Sequence, residues 1–163
     1  MTVFLEEALR LVALGYHVFQ CQPHSKDPFF AMAPNGCNSA SGDPDVVRGW
    51  WERYPDCNIG LKCDNLLVID VDNKNGKDGN GDFSRIIERL GPVPSGPMSM
   101  SGNGGYHLFF QRPDADIKGS NGIVWDGKKT GIDIQIGNQY IVVPPSIHPE
   151  TFSKRKSHDI GNR

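Results

Sequence analysis

Apolar residues recur at two different spacings along this chain, and the spacing separates predicted helices from predicted strands. Near the N-terminus, Leu5, Leu9 and Val12 recur three or four residues apart, as on the buried side of an amphipathic helix. Asp43 followed by Pro44 is a typical N-cap and first turn of a second helix. The pattern predicts three helices, over residues 4–14, 44–54 and 82–90.

Shorter apolar segments with turn residues at both ends predict strands. Two pairs of such segments are separated by short polar turns at residues 64–65 and 137–138. Because turns of this kind commonly join antiparallel neighbours, each pair is predicted to form a β-hairpin. Residues 17–21 and 104–111 are predicted as further strands.

The order of these elements predicts the α+β fold class rather than a regular βαβ repeat. A chain of 163 residues is long enough for one domain with its own core, which we expect over residues 1–149. Residues 150–163 contain few apolar side chains and are expected to be a polar tail or the start of a linker.

Composition and charge change this picture only slightly. The chain is 37% hydrophobic with a formal net charge of −2, so bulk charge gives no support for a nucleic-acid partner, although clustered lysines would still allow one. No apolar run approaches the roughly 18–20 residues of a membrane span, and the N-terminus lacks the basic start of a signal peptide. We therefore expect a cytoplasmic protein without membrane association.

The cysteines at positions 21, 37, 57 and 63 are irregularly spaced, unlike a disulfide framework or a zinc ribbon. Reduced and mostly buried thiols are expected in a cytoplasmic protein. A zinc site built on Cys21, His24 and two further ligands is the alternative, although structural zinc sites usually show close ligand pairs.

Asp70 and Asp72 lie at the end of an otherwise apolar strand, and they are the first candidates for catalytic or metal-binding residues. Residues two apart on a strand point to the same side, so both carboxylates are expected to share a face with Val68. Two such carboxylates repel by about 1 kcal/mol in water and about 4 kcal/mol near a protein surface. A divalent cation removes this conflict, and oxygen ligands of this kind suit Mg²⁺ or Mn²⁺. The alternative is a strand that ends at solvent.

A second strand, GIDIQIG, is interrupted by a carboxylate in the same way. Its three isoleucines point to one side, and Asp133 and Gln135 point to the other. If both acidic strands belong to one sheet, Asp133 would complete a cluster of three carboxylates, the usual cradle for two metal ions about 3.5–4 Å apart. The alternative is a strand position that faces solvent.

A run of small residues from Ser99 to Gly105 precedes the strand that carries His107. Glycines such as Gly104 and Gly105 let backbone N–H groups approach a phosphate closely, and a ring nitrogen of His107 is expected to point toward that pocket. The run is not a Walker loop, because no Gly-Lys-Ser/Thr follows and the next element is a strand. The alternative is a tight turn followed by an ordinary histidine.

Three further residues are candidate contacts for an anion. Lys26 lies in a loop bounded by prolines, and Ser146 and His148 lie in the stiff turn after the VVPP segment. The alternatives are a solvated lysine and a rigid structural turn.

Together, these segments resemble the signature motifs of a known family. The segments that resemble these motifs are VIDVD, SGNGGYHLFF and GIDIQIGNQYIVVPPSIHP, with CQPHSKDPF and WWERYPDCNIGLKC upstream. Over residues 5–149 the chain is similar to the prim-pol domain, the bifunctional DNA primase/polymerase N-terminal domain of the archaeo-eukaryotic primase superfamily. The resemblance implies an α/β module joined to an RRM-like antiparallel sheet, with the active-site cleft between them.

The resemblance also implies roles for the candidate residues. Asp70, Asp72 and Asp133 would bind two divalent ions, Mg²⁺ or Mn²⁺, and His107 would complete the catalytic set by contacting the triphosphate of the incoming nucleotide. The nucleotide-binding set expected in this way is His107, Ser101, Gly104, Gly105, Lys26, Ser146 and His148.

The activity implied is template-directed nucleotidyl transfer, as primer synthesis, DNA polymerisation or both, in the replication of a phage, plasmid or similar element. The expected partners are a single-stranded DNA template, NTPs or dNTPs, and a replicative helicase on a separate chain.

Two other functions stay open at this point, and the sequence argues against a third. A catalytically weak or inactive primase-like domain would bind single-stranded DNA or nucleotides without turnover. A metal-dependent phosphohydrolase would use the same carboxylates and release free phosphate. A rolling-circle endonuclease would need a His-hydrophobe-His pair, which the sequence lacks.

Overall fold

The structure is a computed structural model, and it describes residues 1–101 and 104–147 together with the backbone of residues 157–158. The helices in this part of the chain are α1 (Val3–Ala13), α2 (Pro44–Arg53), α3 (Gly79–Leu90) and a short 3₁₀ helix (Gly36–Ser39). The strands are β1 (Val18–Cys21), β2 (Asn58–Lys62), β3 (Leu66–Val71), β4 (Met98–Met100), β5 (Tyr106–Gln111), β6 (Val124–Trp125), β7 (Lys128–Lys129), β8 (Ile132–Ile136), β9 (Tyr140–Val143) and β10 (Ser157–His158). Helices combined with antiparallel sheets confirm the predicted α+β class.

All three predicted helices are present, and local capping explains where each begins. The hydroxyl of Thr2 caps α1 and the carboxylate of Asp43 caps α2, each by accepting a backbone N–H of the first turn. α3 begins earlier than predicted, because the carboxylate of Asp78 accepts the N–H of Gly81 at 3.0 Å. None of the helices in the described residues combines the length and apolar character needed to cross a membrane.

The first sheet consists of β1, β2 and β9, which pair antiparallel in the order β1-β2-β9. One face packs against α1 and α2, where Leu11, Trp51 and Ile59 belong to the largest cluster of buried side chains. The other face contributes Phe19 to a smaller cluster with Ala33, from the loop that connects β1 to α2. The first sheet is therefore covered on both faces.

The second sheet is also antiparallel, with the strand order β10-β4-β5-β3-β8. α3 covers one face, where Phe83 and Ile86 pack with Val71 and Ile132. β6 and β7 pair only with each other, as a small hairpin between β5 and β8 in the chain. The face of the second sheet opposite α3 is therefore available for contacts with other groups.

Both predicted hairpins are wrong. β2 pairs with β1 and β9 while β3 pairs with β5 and β8, so the turn at 64–65 joins two different sheets, and the turn at 137–138 does the same for β8 and β9. A turn signal reports a local change of chain direction and does not report which strand supplies the hydrogen bonds. The two connections lie side by side, because the N–H of Cys63 donates to the C=O of Gln139 at 2.9 Å and the C=O of Cys63 accepts the N–H of Gly137 at 2.8 Å.

β3 belongs to the core at one end and to a polar surface at the other. Leu66 and Val68 are buried in the largest cluster of side chains. Asp70 follows on the same face and is only partly buried. On the opposite face, Ile69 and Val71 belong to the cluster that includes α3. The predicted alternation along this strand is confirmed.

Candidate functional site

One row of polar residues crosses the second sheet from strand to strand. Asp70 on β3 lies directly opposite Asp133 on β8 and His107 on β5. His107 in turn lies opposite Ser99 on β4. Residues directly opposite on neighbouring strands share a face, with Cβ atoms about 4.5–5.5 Å apart. We call these four residues the polar row. The pairing of β3 with β8 makes the two strands that carry the predicted carboxylates neighbours in one sheet.

His107 is nearly buried, at 4% exposure, and is held on both sides of its ring. Its Nε2 lies 3.2 Å from Oδ1 of Asp70. Its Nδ1 lies 3.2 Å from the hydroxyl oxygen of Ser99. The ring also packs edge-to-face against Phe109, with 6.3 Å between ring centroids. These three contacts fix the plane of the imidazole within the polar row.

The other two carboxylates of the candidate site are held by nearby loops. Asp133 Oδ1 accepts a hydrogen bond from the N–H of Gly122 at 2.6 Å. Asp72 lies just beyond β3, where its Oδ1 accepts the N–H of Lys74 at 3.1 Å. Its Oδ2 lies 3.4 Å from Nζ of Lys77, a half-buried ion pair. The loops on either side of the sheet therefore set the direction of these carboxylates.

Glycines at the end of β3 allow neighbouring backbone segments to approach that end closely. The N–H of Asp72 donates to the C=O of Gly131 at 2.8 Å, and a Cβ at Gly131 would lie 2.6 Å from the carbonyl oxygen of Asp72. A Cβ at Gly105 would collide with the carbonyl oxygen of Val71. Gly104 has a φ of +74°, in the left-handed region that favours glycine. Only glycine fits this close backbone packing.

A pocket of about 280 Å³ opens along this face of the second sheet. The second sheet and its loops supply its charged and polar lining, which consists of Asp70, Asp72, Lys74, Ser101, His107 and Asp133. Gln135 extends this lining along β8, and residues 140–142 of the first sheet complete the wall. Lys26 enters from the loop after β1. The pocket thus has a charged part and a largely neutral part.

Lys26 is brought to the pocket by contacts of its own backbone. The hydroxyl of Tyr140 donates to the C=O of Lys26 at 3.0 Å, and the Tyr140 ring packs edge-to-face on Phe19 with 5.0 Å between centroids. Burial raises the pKa of Tyr140 to about 12, so its phenol keeps the proton that it donates. The Nδ2 of Asn58 donates to the C=O of Ser25 at 2.9 Å. The backbone around Lys26 is therefore fixed at two neighbouring points.

Some of the expected nucleotide contacts do not reach the pocket. Ser146 is fully buried, and its hydroxyl oxygen accepts the N–H of Ile59 at 2.8 Å, which ties the turn after β9 to β2. His148 lies outside the described residues, as do residues 102–103 of the glycine-rich run. Of that run, Ser101 lines the pocket.

Sequence reasoning missed part of the site. It placed Gln135 on the same face as Asp133 but assigned it no role, although alternation along β8 was enough to place both in one pocket. Ser99 was placed in the run of small residues before the His107 strand but was given no role, because its position beside His107 depends on the pairing of β4 with β5. The position of Tyr140 at the pocket was also not predicted, because its strand was expected to pair with β8 and instead belongs to the first sheet.

The donor atoms of the pocket fit a hard divalent cation. Asp70 and Asp133 face each other as like charges, a pairing that is destabilising without a compensating positive charge. Asp72 adds further carboxylate oxygens in the same pocket, and oxygen ligands of this kind suit Mg²⁺ or Mn²⁺. Within the described ranges, however, no three His, Cys, Asp or Glu side chains are already arranged to hold a metal ion. Binding an ion would require these carboxylates to turn from their present partners.

All four cysteines are free thiols, and Cys21, Cys57 and Cys63 are buried. Burial raises the pKa of Cys21 and of Cys63 to about 12, and that of Cys57 to about 11, so these thiols stay protonated at neutral pH. The part of the chain that the structure describes offers no trio of ligands for the zinc alternative around Cys21 and His24.

Comparison with known families gives one match. A sequence profile of the Prim-Pol family, described as bifunctional DNA primase/polymerase, N-terminal, matches residues 8–158. The matched range includes both sheets and the whole polar row. A search of curated proteins found no match.

Proposed function

Because the chain belongs to the Prim-Pol family of bifunctional DNA primases/polymerases, we propose that it adds nucleotides to a growing strand on a single-stranded DNA template at the polar row. Family membership implies primase/polymerase-type nucleotidyl transfer, with DNA and nucleotides as substrates. The assignment of the reaction to this pocket rests on one observation. Asp133, Asp70 and His107 are aligned across three adjacent strands and line one pocket.

In the proposed reaction, the 3′-hydroxyl of a primer or of an initiating nucleotide attacks the α-phosphate of a bound nucleotide, and pyrophosphate leaves. Two divalent ions held by Asp70, Asp72 and Asp133 would lower the pKa of that hydroxyl and neutralise charge on the leaving group. Lys77 would release Asp72 for this role, which costs little because the charged atoms are 3.4 Å apart and both side chains are partly exposed, at 32% and 25%.

The rest of the pocket would bind the nucleotide. The Nε2–H of His107 would donate to a phosphate oxygen, because this nitrogen lies on the pocket side of a ring that is otherwise buried. Ser101 lines the pocket and would contact the phosphates, whereas Gly104 and Gly105 are not among the lining residues and their contact with phosphate stays a prediction from the sequence. Lys26 and Lys74 add positive charge to the same pocket.

The substitutions Asp70→Asn and Asp133→Asn test this proposal. Asparagine keeps the size of the side chain and can still accept a hydrogen bond, but it removes a negative charge from the expected ion site. Extension of a primed DNA template with Mg²⁺ or Mn²⁺ should fall by at least about 100-fold, since ion-assisted charge stabilisation contributes several kcal/mol to such reactions. Circular dichroism should show an intact fold.

Asp126→Asn is the matched control. Asp126 lies on the exposed turn of the β6–β7 hairpin and pairs with Arg89 at 2.7 Å, away from the residues that line the pocket. This variant should extend primers as the unsubstituted protein does. Extension at the unsubstituted rate by either pocket variant would contradict the proposed role of the carboxylates.

A second candidate function is favoured by the present contacts of the carboxylates. Asp70, Asp72 and Asp133 are each held by a group of this chain, as expected for a domain that binds nucleotide or single-stranded DNA without turnover. Nucleotide binding by the unsubstituted protein, without any primer extension in Mg²⁺ or Mn²⁺, would identify this second function. Release of inorganic phosphate in place of pyrophosphate would instead indicate a phosphohydrolase.

The wider expectations from the sequence stay predictions. They comprise the domain limits 1–149 and 150–163, the cytoplasmic location, the role in replicating a phage, plasmid or similar element, and a helicase on a separate chain.

A further inference from the structure

Ser99 is the member of the polar row that the proposed function leaves without a role. We propose that Ser99 is a positioning residue for His107: its hydroxyl donates to Nδ1 and thereby keeps the imidazole proton on Nε2, the nitrogen that faces Asp70 and the pocket. The part of this inference that concerns nucleotide phosphate rests on the proposed function, whereas the part that concerns the ring itself does not.

The geometry places Ser99 where it can act on only one atom of the ring. Ser99 lies on β4, directly opposite His107 on β5, and the pairing of these strands fixes the distance between the two residues. The hydroxyl oxygen is 3.2 Å from Nδ1. Ser99 is 1% exposed, so solvent does not supply an alternative partner for its hydroxyl.

The two groups beside the ring, the carboxylate of Asp70 and the hydroxyl of Ser99, favour one position for the imidazole proton. The carboxylate oxygen of Asp70 lies 3.2 Å from Nε2, and a lone pair on Nε2 would be repelled by that negative charge, so the carboxylate favours a proton on Nε2. A neutral imidazole has a single N–H, and Nδ1 must then accept. Within the described residues, the hydroxyl of Ser99 is the one hydrogen-bond partner of Nδ1, and it can donate.

This arrangement has a consequence for the pocket. When Asp70 turns toward a cation, it no longer holds the Nε2 proton in place, and the hydrogen bond from Ser99 remains to select the tautomer and the ring plane. His107 then presents an N–H donor to the pocket rather than a bare nitrogen. A donor suits a phosphate oxygen, whereas a bare nitrogen would act as a base or a metal ligand.

The first test measures the ring directly. Long-range ¹H–¹⁵N correlation spectra of the protein labelled at histidine, recorded in alkaline buffer where an imidazole is neutral, distinguish a proton on Nε2 from one on Nδ1. The unsubstituted protein should show the Nε2–H form alone for His107. Ser99→Ala should move the His107 signals toward the mixed pattern of an exposed histidine such as His24. Ser99→Thr retains the hydroxyl and should restore the original pattern.

The second test measures nucleotide binding in the same variants. Ser99→Ala should raise the dissociation constant for a dNTP by about threefold to tenfold, as expected for the loss of an aligned hydrogen bond. In a His107→Ala background, the same substitution should have no further effect, because Ser99 acts only through the ring. Ser39→Ala, which removes a hydroxyl from the 3₁₀ helix, should leave the dissociation constant unchanged.

The two tests separate the failure of this inference from the failure of the proposed function. An unaltered His107 spectrum in Ser99→Ala would overturn the positioning role. A weakening of nucleotide binding by Ser99→Ala that persists in the His107→Ala background would also overturn it, because a general structural effect would then explain the loss. An altered spectrum with unchanged nucleotide affinity would support the positioning role and overturn the phosphate contact taken from the proposed function.

Discussion

The two sheets of this protein use buried polar side chains for different purposes. In the first sheet, Gln20 is fully buried and its Nε2 donates to the C=O of Trp50 at 3.1 Å and of Tyr54 at 2.9 Å. These bonds attach the end of α2 to β1. In the second sheet, His107 is almost as deeply buried, but its partners are the side chains of Ser99 and Asp70, and the group as a whole borders a pocket.

The difference lies in what covers each sheet. The first sheet is covered on both faces by helices and a long loop, so a polar side chain there must satisfy neighbouring backbone groups. The second sheet has α3 on one face only, and the other face changes from core to pocket between Val68 and Asp70. We therefore expect stability to be concentrated in the first sheet and chemistry in the second.

The largest effect on stability should come from truncating a large side chain beneath the first sheet. Trp51 is 1% exposed, and its Nε1 donates to the C=O of Cys57 at 2.9 Å. Trp51→Ala should lower the free energy of unfolding by about 3–5 kcal/mol, because it leaves a cavity and an unpaired carbonyl. Urea denaturation followed by circular dichroism measures this loss.

Trp125→Ala is the matched comparison beside the second sheet. Trp125 is only partly buried, and its Nε1 has no hydrogen-bond partner among the described residues. Its removal should cost clearly less than removal of Trp51. Equal losses from the two substitutions would contradict the concentration of stability in the first sheet.

An intermediate effect is expected from alkaline pH, and it should act through the first sheet. Burial raises the pKa of Cys21, Cys63 and Tyr140 to about 12, and all three lie in or beside strands of that sheet. The unfolded chain releases these protons at lower pH than the folded chain does. The stabilising contribution is therefore complete below about pH 9 and is lost as the pH rises toward 12.

The urea midpoint measured at several pH values checks this expectation. It should fall between about pH 9 and pH 11 in the unsubstituted protein, and the slope should become smaller in Cys21→Ala, which removes one of the titrating groups. A midpoint that stays constant over this interval would show that the buried thiols and phenol do not titrate differently in the folded and unfolded chains.

The smallest effect on stability should come from the polar face of the second sheet. Lys77 lies 3.4 Å from Asp72 in a half-exposed ion pair, so Lys77→Ala should change the free energy of unfolding by less than about 0.5 kcal/mol. The same substitution frees Asp72 and should tighten binding of Mn²⁺, which titration calorimetry measures. Lys128→Ala, on the exposed strand β7, should change neither quantity. Weaker Mn²⁺ binding in Lys77→Ala would argue against Asp72 as a ligand.

The sequence carried enough information for the features that depend on near neighbours. Helix positions followed from apolar spacing and from caps such as Asp43, and the shared face of Val68 and Asp70 followed from alternation along one strand. These features depend on contacts within a few residues. They needed no knowledge of the partner strands.

The features that depend on which strands pair could not be predicted from neighbouring residues in this way. The turns at 64–65 and 137–138 carry the same residue types as hairpin turns, yet each connects two sheets, because burial of the flanking strands determines their partners. The hydroxyl of Ser146 accepts the N–H of Ile59, a contact between residues far apart in the chain that the sequence did not predict. The contact between Ser99 and His107 was not predicted for the same reason.

The two adjoining connections also determine when a newly made chain can fold. β2 pairs with β9, and β3 pairs with β8, so each sheet depends on a strand near the end of the described range. A ribosome must therefore deliver residues 132–143 before either sheet has its full set of inner contacts. A nascent or truncated chain that stops short of this point would leave one edge of β2 and one edge of β3 unpaired, and unpaired strand edges favour aggregation.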